Sequence, residues 1–167
     1  MNKLQEIRIE KLSLSMGIGQ AGDPLDKAVK LMESISGSKA VQTTTNKRIP
    51  TWNIRPGLAV GCLVTLRKKK VELLKNLLAA VKNTLKASQF SGRTVSFGIP
   101  EYIDIPEAKY DPDIGIIGLQ VSVTLERPGY RVIRRSVRKG KIGKNSQISS
   151  EETIEFMKNK FNVEIEG

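Results

Sequence analysis

Histidine is absent from this 167-residue chain, and cysteine occurs once. Without histidine, the side chain most often used for proton transfer near neutral pH is missing. The single Cys62 cannot form an intrachain disulfide. Its phase with Val60, Val64 and Leu66 in an alternating stretch makes it a buried structural thiol of a reducing compartment. There is no P-loop, no cysteine with a base beside it, and no pair of acids in a recognisable catalytic motif. No apolar run approaches the ~18 residues that a membrane span needs. Nothing near Met1 resembles a signal peptide. These absences lead us to expect a cytoplasmic protein that is not an enzyme and uses no metal or cofactor. At this length it reads as one domain, residues 1–167, able to bury about two-thirds of its unfolded surface.

Acidic residues are missing from two long stretches. Lys39 to Lys70 holds eight Lys and Arg and no acid, and Arg127 to Lys144 repeats that balance. Sixteen of the 28 basic residues therefore lie in these segments, leaving 12 to face all 17 acids of the remaining chain. A surface made basic for solubility alone intersperses the two signs, and this sequence segregates them. The net charge of +11 thus points to a polyanion, with nucleic acid as the natural partner.

Within the first basic stretch, residues 46–57 form a loop with two prolines, a closing glycine, Lys47, Arg48, Arg55 and the only tryptophan, Trp52. Strict alternation follows, with Val60, Cys62, Val64 and Leu66 on one side of a strand and Ala59, Gly61 and Thr65 on the other. Upstream, Ile7 to Ile18 reads as a strand in which Leu12, Leu14, Met16 and Ile18 share a phase. Ile7 and Ile9 fall out of it, which calls for a bulge near Glu10 or Lys11. Gly17, Gly19 and Gly22 then match a dinucleotide fingerprint on paper. However, Asp23 and Pro24 look like the cap and first residue of a helix that starts too late for it, and no acid between Ser34 and Arg67 could hold a ribose. The glycines are read as turn residues.

A helix from Pro24 to Ser36 buries Leu25, Ala28, Val29, Leu31, Met32 and Ile35 and stops at Gly37. Ala40 to Thr45 is a short strand. A second helix is expected from Lys69 to Ala87, with Val71, Leu74, Leu78, Val81 and Leu85 on its buried line. Four cations, Arg67 to Lys70, stand at its start, where they oppose the helix dipole and are better explained by binding. Phe90 to Ile116 is expected to be a long ordered loop with short extended pieces. Its acids, Asp104, Glu107, Asp111 and Asp113, lack the spacing of a calcium loop and read as loop caps or partners of the basic segments. Ile117 to Glu126 is the clearest strand, with Leu119, Val121, Val123 and Leu125 inward. The second basic segment, 127–148, has no apolar period and is expected to order only on an anionic partner. Ser149 and Glu152 form a capping box for a last helix carrying Ile154, Met157 and Phe161. Val163 to Ile165 reads as a short edge strand or a tail.

Gathered together, Ser13, Ser15, Ala59, Gly61, Thr65, Gln120, Ser122 and Thr124 form an outward set that is small, uncharged and mostly hydrogen-bonding. The fold class expected is α+β: a two-layer sandwich, mainly antiparallel, with helices packed on one face and an open RNA-facing side. By itself such a face is equally that of an antiparallel sheet meeting water. Flanked by two cationic segments it becomes a platform for a sugar–phosphate backbone, since small residues admit it closely and hydroxyls reach phosphate and 2′-OH groups.

Several stretches together resemble the large-subunit ribosomal protein L-five family: Leu14 to Ala21, Ile35 to Lys39, Trp52 to Gly57 with Val64 to Arg67, Phe97 to Glu101, and Tyr110 to Leu119. The short N-terminus, and the basic insert before the final helix, are similar to the archaeal and eukaryotic branch. The lack of histidine and the Lys/Ile-rich composition lean archaeal. The resemblance implies a structural protein that binds 5S rRNA, attaches it to the large subunit in the central protuberance and touches 23S rRNA. It further implies contacts with other large-subunit proteins there, with P-site tRNA, and with small-subunit protein S-thirteen across an intersubunit bridge; neither membrane nor DNA is implied. Carried onto this chain, the 5S contacts fall at Ser15, Ser38, Lys39, Thr65 and Arg67, and the tRNA loop presents Lys47, Arg48, Trp52 and Arg55. Arg131, Arg134, Arg135, Arg138, Lys139, Lys141 and Lys144 take rRNA phosphates. Ser15 and Ser38 are shorter than the family's usual Asn and Gln, so base-edge contacts there pass to water or backbone, and Gln20 stands for a usual Glu. A generic basic RNA-binding protein or RNA chaperone is the alternative.

Overall fold

The computed structural model describes every residue except 1–3, 20–21, 68–69, 107, 109, 111, 113 and 167. In chain order its elements begin with β1 (Arg8–Gly17), α1 (Asp23–Ser36), β2 (Val41–Thr44), β3 (Ala59–Leu66), α2 (Lys70–Ala80) and β4 (Thr84–Lys86). They continue with β5 (Phe90–Ser91), β6 (Thr94–Ile99), β7 (Leu119–Glu126), α3 (Arg131–Arg134), α4 (Ser150–Phe161) and β8 (Glu164–Glu166). Six strands make one antiparallel sheet in the order β2-β3-β1-β7-β6-β5. β4 and β8 pair separately, in parallel.

Alternation along the strands decides which side of the sheet is core. Leu12, Leu14 and Met16 of β1, Cys62, Val64 and Leu66 of β3, Val95, Phe97 and Ile99 of β6, and Leu119 to Leu125 of β7 at every second residue are all buried. Ala28, Leu31 and Met32 of α1, Leu74, Leu77 and Leu78 of α2, and Met157 and Phe161 of α4 complete that layer. The expected α+β sandwich with one face uncovered is the fold observed. The bulge also falls where the phase break put it: the β1–β7 register shifts between Ile9 and Lys11, which turns Ile9 inward opposite Leu125.

Several expectations are corrected. α1 starts one residue early, capped by Gly22 rather than Asp23. Gly22 lies at φ 104°, where its carbonyl receives Leu25 and Asp26 N–H, a conformation that glycine adopts freely. α2 stops at Ala80 instead of Ala87, because Lys82 and Asn83 both turn left-handed and Asn83 N–H returns to Leu78 O at 2.9 Å. Leu85 is buried as expected, but in β4, whose partner β8 lies some eighty positions further along the chain. Val71 is exposed. The region from Phe90 is not simply a loop: β6 pairs with β7 over its whole length, and its Thr-Val-Ser-Phe-Gly-Ile alternates as a strand should.

The second basic segment has structure of its own. Tyr130 is buried and donates its hydroxyl to Ser146 O at 2.8 Å; Gly140 N–H reaches Val132 O, and Arg127 pairs with Glu152 at 2.7 Å. One aromatic and a few directed bonds hold a stretch that hydropathy alone leaves formless. The capping box of α4 is present, with Ser149 and Glu152 each accepting the other's backbone N–H. Three of the four loop acids lie outside the described residues. Among those described, no group of three or more potential metal ligands converges.

Candidate nucleic-acid interface

The uncovered face of the sheet is laid out by register. Thr65 of β3 stands opposite Ser13 of β1, Ser13 opposite Ser122 of β7, and Ser122 opposite Ser96 of β6, whose hydroxyl lies 3.0 Å away. This row of four hydroxyls crosses four strands, roughly 14 Å. The next row runs from Leu63 through Ser15 and Gln120 to Gly98. Ser96 and Thr94 extend this surface, although the composition from Phe90 onward predicts a loop. Their alternation was the available signal. Thr124, expected outward, is only 7% exposed, at the end of β7 where the second basic segment folds back.

One row further, Gly61 lies between Gly17 and Thr43. A Cβ there would sit 2.5 Å from Met16 O and 3.2 Å from Thr43 Oγ1, so glycine is what lets β1, β2 and β3 close up. On the buried side of the same strand, Cys62 is 1% exposed. Burial pushes its thiol pKa up, against a smaller lowering by the backbone of Met16.

Four of the expected 5S positions gather toward one corner. β2 enters at Val41 opposite Leu63, so the antiparallel register leads the Ser38–Lys39 turn back toward Thr65, with Arg67 just beyond the strand. That turn is pinned by Gly37 N–H to Glu33 O, Ala40 N–H to a Glu33 carboxylate oxygen at 3.0 Å, and Ser38 N–H to the Ser36 hydroxyl. Ser15 lies inward of this corner, half-buried and diagonal to Thr65. Lys68 and Lys69, from the cationic run after Arg67, are outside the described residues, as is Gln20.

The Trp52 loop leaves from the opposite end of β3. Eight residues of strand separate it from Arg67, about 26 Å. It is a small hairpin of its own: Ile49 and Ile54 exchange backbone bonds, Pro50–Trp52 makes a 3-10 turn, and Asn53 takes the left-handed position at φ 53°. Ile54 anchors it in the fold while Trp52 is left 68% exposed, with Lys47, Arg48 and Arg55 exposed around it. The first acid-free stretch is therefore split into two sites at opposite ends of the sheet.

The second basic segment folds back at the corner end, where an ion-pair lattice meets the open face. Glu126 accepts from Arg8 at 2.8 Å and Arg134 at 2.8 Å; Glu10 accepts from Arg134 at 2.6 Å and lies 3.6 Å from Arg93. Both carboxylates are about 8% exposed. Arg134, expected on a phosphate, thus bridges two carboxylates. Arg131, Arg138, Lys139, Lys141 and Lys144 stay exposed, and Arg135 donates to Arg138 O at 2.7 Å.

A basic sandwich with a hydroxyl-bearing open face and cationic margins is the build of a structural RNA-binding protein, and comparison with known proteins places it in that class. Residues 2–55 match the family model described as Ribosomal protein L5, and residues 59–163 match the model for the C-terminus of the same ribosomal family. The chain is 48% identical over 164 residues to large ribosomal subunit protein uL5 of Nanoarchaeum equitans, covering 97% of each chain. It is 44% identical to the uL5 of Sulfurisphaera tokodaii, covering 99% of this chain and 95% of that one. With the uL5 of Methanosphaera stadtmanae it shares 42%, covering 99% and 100%. The class is thus a ribosomal structural protein, not an enzyme. The chain belongs to the ribosomal protein L5 family, and so to the large subunit of the cytoplasmic ribosome and its rRNA.

Proposed function

We propose that the corner formed by Ser15, Ser38, Lys39, Thr65 and Arg67 binds 5S rRNA and attaches it to the large subunit in the central protuberance. The observation that carries this reading is the row Thr65–Ser13–Ser122–Ser96, an uncharged hydroxyl platform ending beside a cationic corner. Hydroxyls take 2′-OH and phosphate oxygens while the flanking cations neutralise charge. The Trp52 hairpin, a strand length away, reaches P-site tRNA: an indole held 68% exposed between cations is suited to stacking on a base or ribose. Arg131, Arg135, Arg138, Lys139, Lys141 and Lys144 contact phosphates of 23S rRNA, with Arg134 anchoring their segment. Contacts with S-thirteen and with neighbouring proteins of the central protuberance belong to the same proposal and are supported only by the resemblance to the family. The whole chain acts as one domain, since the sheet interleaves strands from both family-model segments.

A competition gel shift at near-physiological salt tests the reading, with labelled 5S rRNA against excess tRNA or unrelated structured RNA. Survival of the 5S complex supports the specific platform. Equal competition by every RNA favours a plain polycation, whose binding would fall about three decades or more between roughly 50 and 200 mM salt for six or more contacts. Arg67→Ala should weaken 5S binding, whereas alanines at Lys47, Arg48 and Arg55 should spare it and impair tRNA contact. Equal losses from both would sink the division of labour.

A further inference from the structure

We propose that the cavity beneath the second basic segment seats one unpaired nucleotide of a bound RNA, base inward and phosphate at the rim. This rests on reading that segment as an RNA-contacting element. The cavity has a volume of about 750 Å³, within the range of roughly 300–1,000 Å³ typical of small-ligand sites. Its floor is apolar and includes Tyr130, Ile133 and Ile142, while Arg93, Lys139 and Lys141 supply cations at its edge. No carboxylate pairs with Lys139 or Lys141 among the described residues. Arg93 is stationed by Glu10 at 3.6 Å and by the Tyr130 ring, 5.5 Å from its guanidinium carbon.

The ligand must be apolar and anionic at once. A hydrophobic side chain of a protein neighbour would leave the cations unused, and an acidic peptide would leave the floor unfilled. A nucleotide brings a flat base and a phosphate on one short scaffold. It must be unpaired, because a base in an A-form duplex is stacked and cannot enter a side pocket. Gln147 also lines the cavity. Its backbone carbonyl receives Arg127 at 3.3 Å, which fixes the main chain, and its side-chain amide makes no hydrogen bond among the described residues. That amide offers a donor and an acceptor to a base edge.

The test uses the full chain with isotopically labelled isoleucine methyls, titrated with adenosine and uridine monophosphates and with ribose 5-phosphate. At millimolar concentration at least one nucleotide should move the Ile133 and Ile142 methyls saturably, while the base-free sugar phosphate should not. Gln147→Ala should weaken the nucleotide about fivefold, one hydrogen bond's worth, and a Lys139→Ala/Lys141→Ala pair should weaken it further; all three are surface positions that leave the core intact. Methyls that stay still with both nucleotides, or move equally with ribose 5-phosphate, overturn the proposal. Movement only with an apolar peptide overturns it in favour of a protein partner. Because no ribosomal RNA is present, this experiment can fail while the 5S competition succeeds, and the reverse.

Discussion

Removing the Arg134 guanidinium should loosen the second basic segment and cost more stability than removing the exposed Arg131 or Arg138. Arg134 spans Glu10 at 2.6 Å and Glu126 at 2.8 Å, two carboxylates each about 8% exposed, and is itself 47% exposed. A pair in full solvent contributes at most about 1 kcal/mol, and breaking a fully buried one costs about 3–5. Here the acids are near the buried limit and the base is half in water. Each acid also keeps a second arginine, Arg8 at 2.8 Å and Arg93 at 3.6 Å. An intermediate cost of about 2 kcal/mol follows for Arg134→Ala. With a urea slope near 2 kcal/mol per molar, the unfolding midpoint should fall by about 1 M. Arg8→Ala should cost under about 1 kcal/mol, because Arg134 still serves Glu126. Arg134→Lys should recover less than half, since one ammonium cannot fork across two carboxylates. Urea titrations followed by circular dichroism decide the matter. A midpoint for Arg134→Ala equal to that of Arg131→Ala, whose side chain is exposed, would refute the bridging role.

Alanine at Arg131, Arg138 or Lys139 should leave the urea midpoint unchanged but lower the salt slope of RNA binding by about 1 each, read from affinities at several salt concentrations. Gly61→Ala should destabilise by roughly 2–3 kcal/mol, because the new Cβ meets Met16 backbone oxygen at 2.5 Å in an interior strand; a melting temperature within a degree of the parent would contradict that. Thr153→Val keeps shape but removes a hydroxyl seated 2.8 Å from Gly92 O and 3.0 Å from Ser149 O, for an expected loss of about 1–2 kcal/mol by urea titration. Cys62 should resist thiol reagents until the protein unfolds. Its folded pKa is raised from 9.0, so its neutral form favours the fold below that value, and stability should decline as pH climbs above about 9. Cys62→Ala should remove that decline.

The open face was legible because period-two alternation fixes which side chains share a face as soon as a segment is a strand. Ser13, Ser15, Thr65, Gln120 and Ser122 were placed that way, and register then joined them into rows. Ser96 is not legible, because the glycines, prolines and aspartates of its region have the composition of a loop. The end of α2 was not legible: Leu85 continues the helical spacing, and what takes it out of the helix is pairing with β8, far along the chain. The fold of the second basic segment was hidden for a related reason. Tyr130, Arg127 and Arg134 are fixed by partners on β1, β7, α4 and the loop at Ser146, and no local pattern encodes such pairings.

Sequence alone determined the polyanion-directed charge, the α+β class, the bulge in β1, the caps at Gly37 and Ser149, and the side of each recognised strand that faces the core. These follow from backbone stereochemistry and from the periods of helix and strand, which act over a few residues. Tertiary structure alone decided that the first basic stretch is split across the length of β3, that Arg134 bridges Glu10 and Glu126, and that a cavity opens under Ile142. Each depends on residues brought together from distant parts of the chain, and only packing of the whole sheet sets those distances.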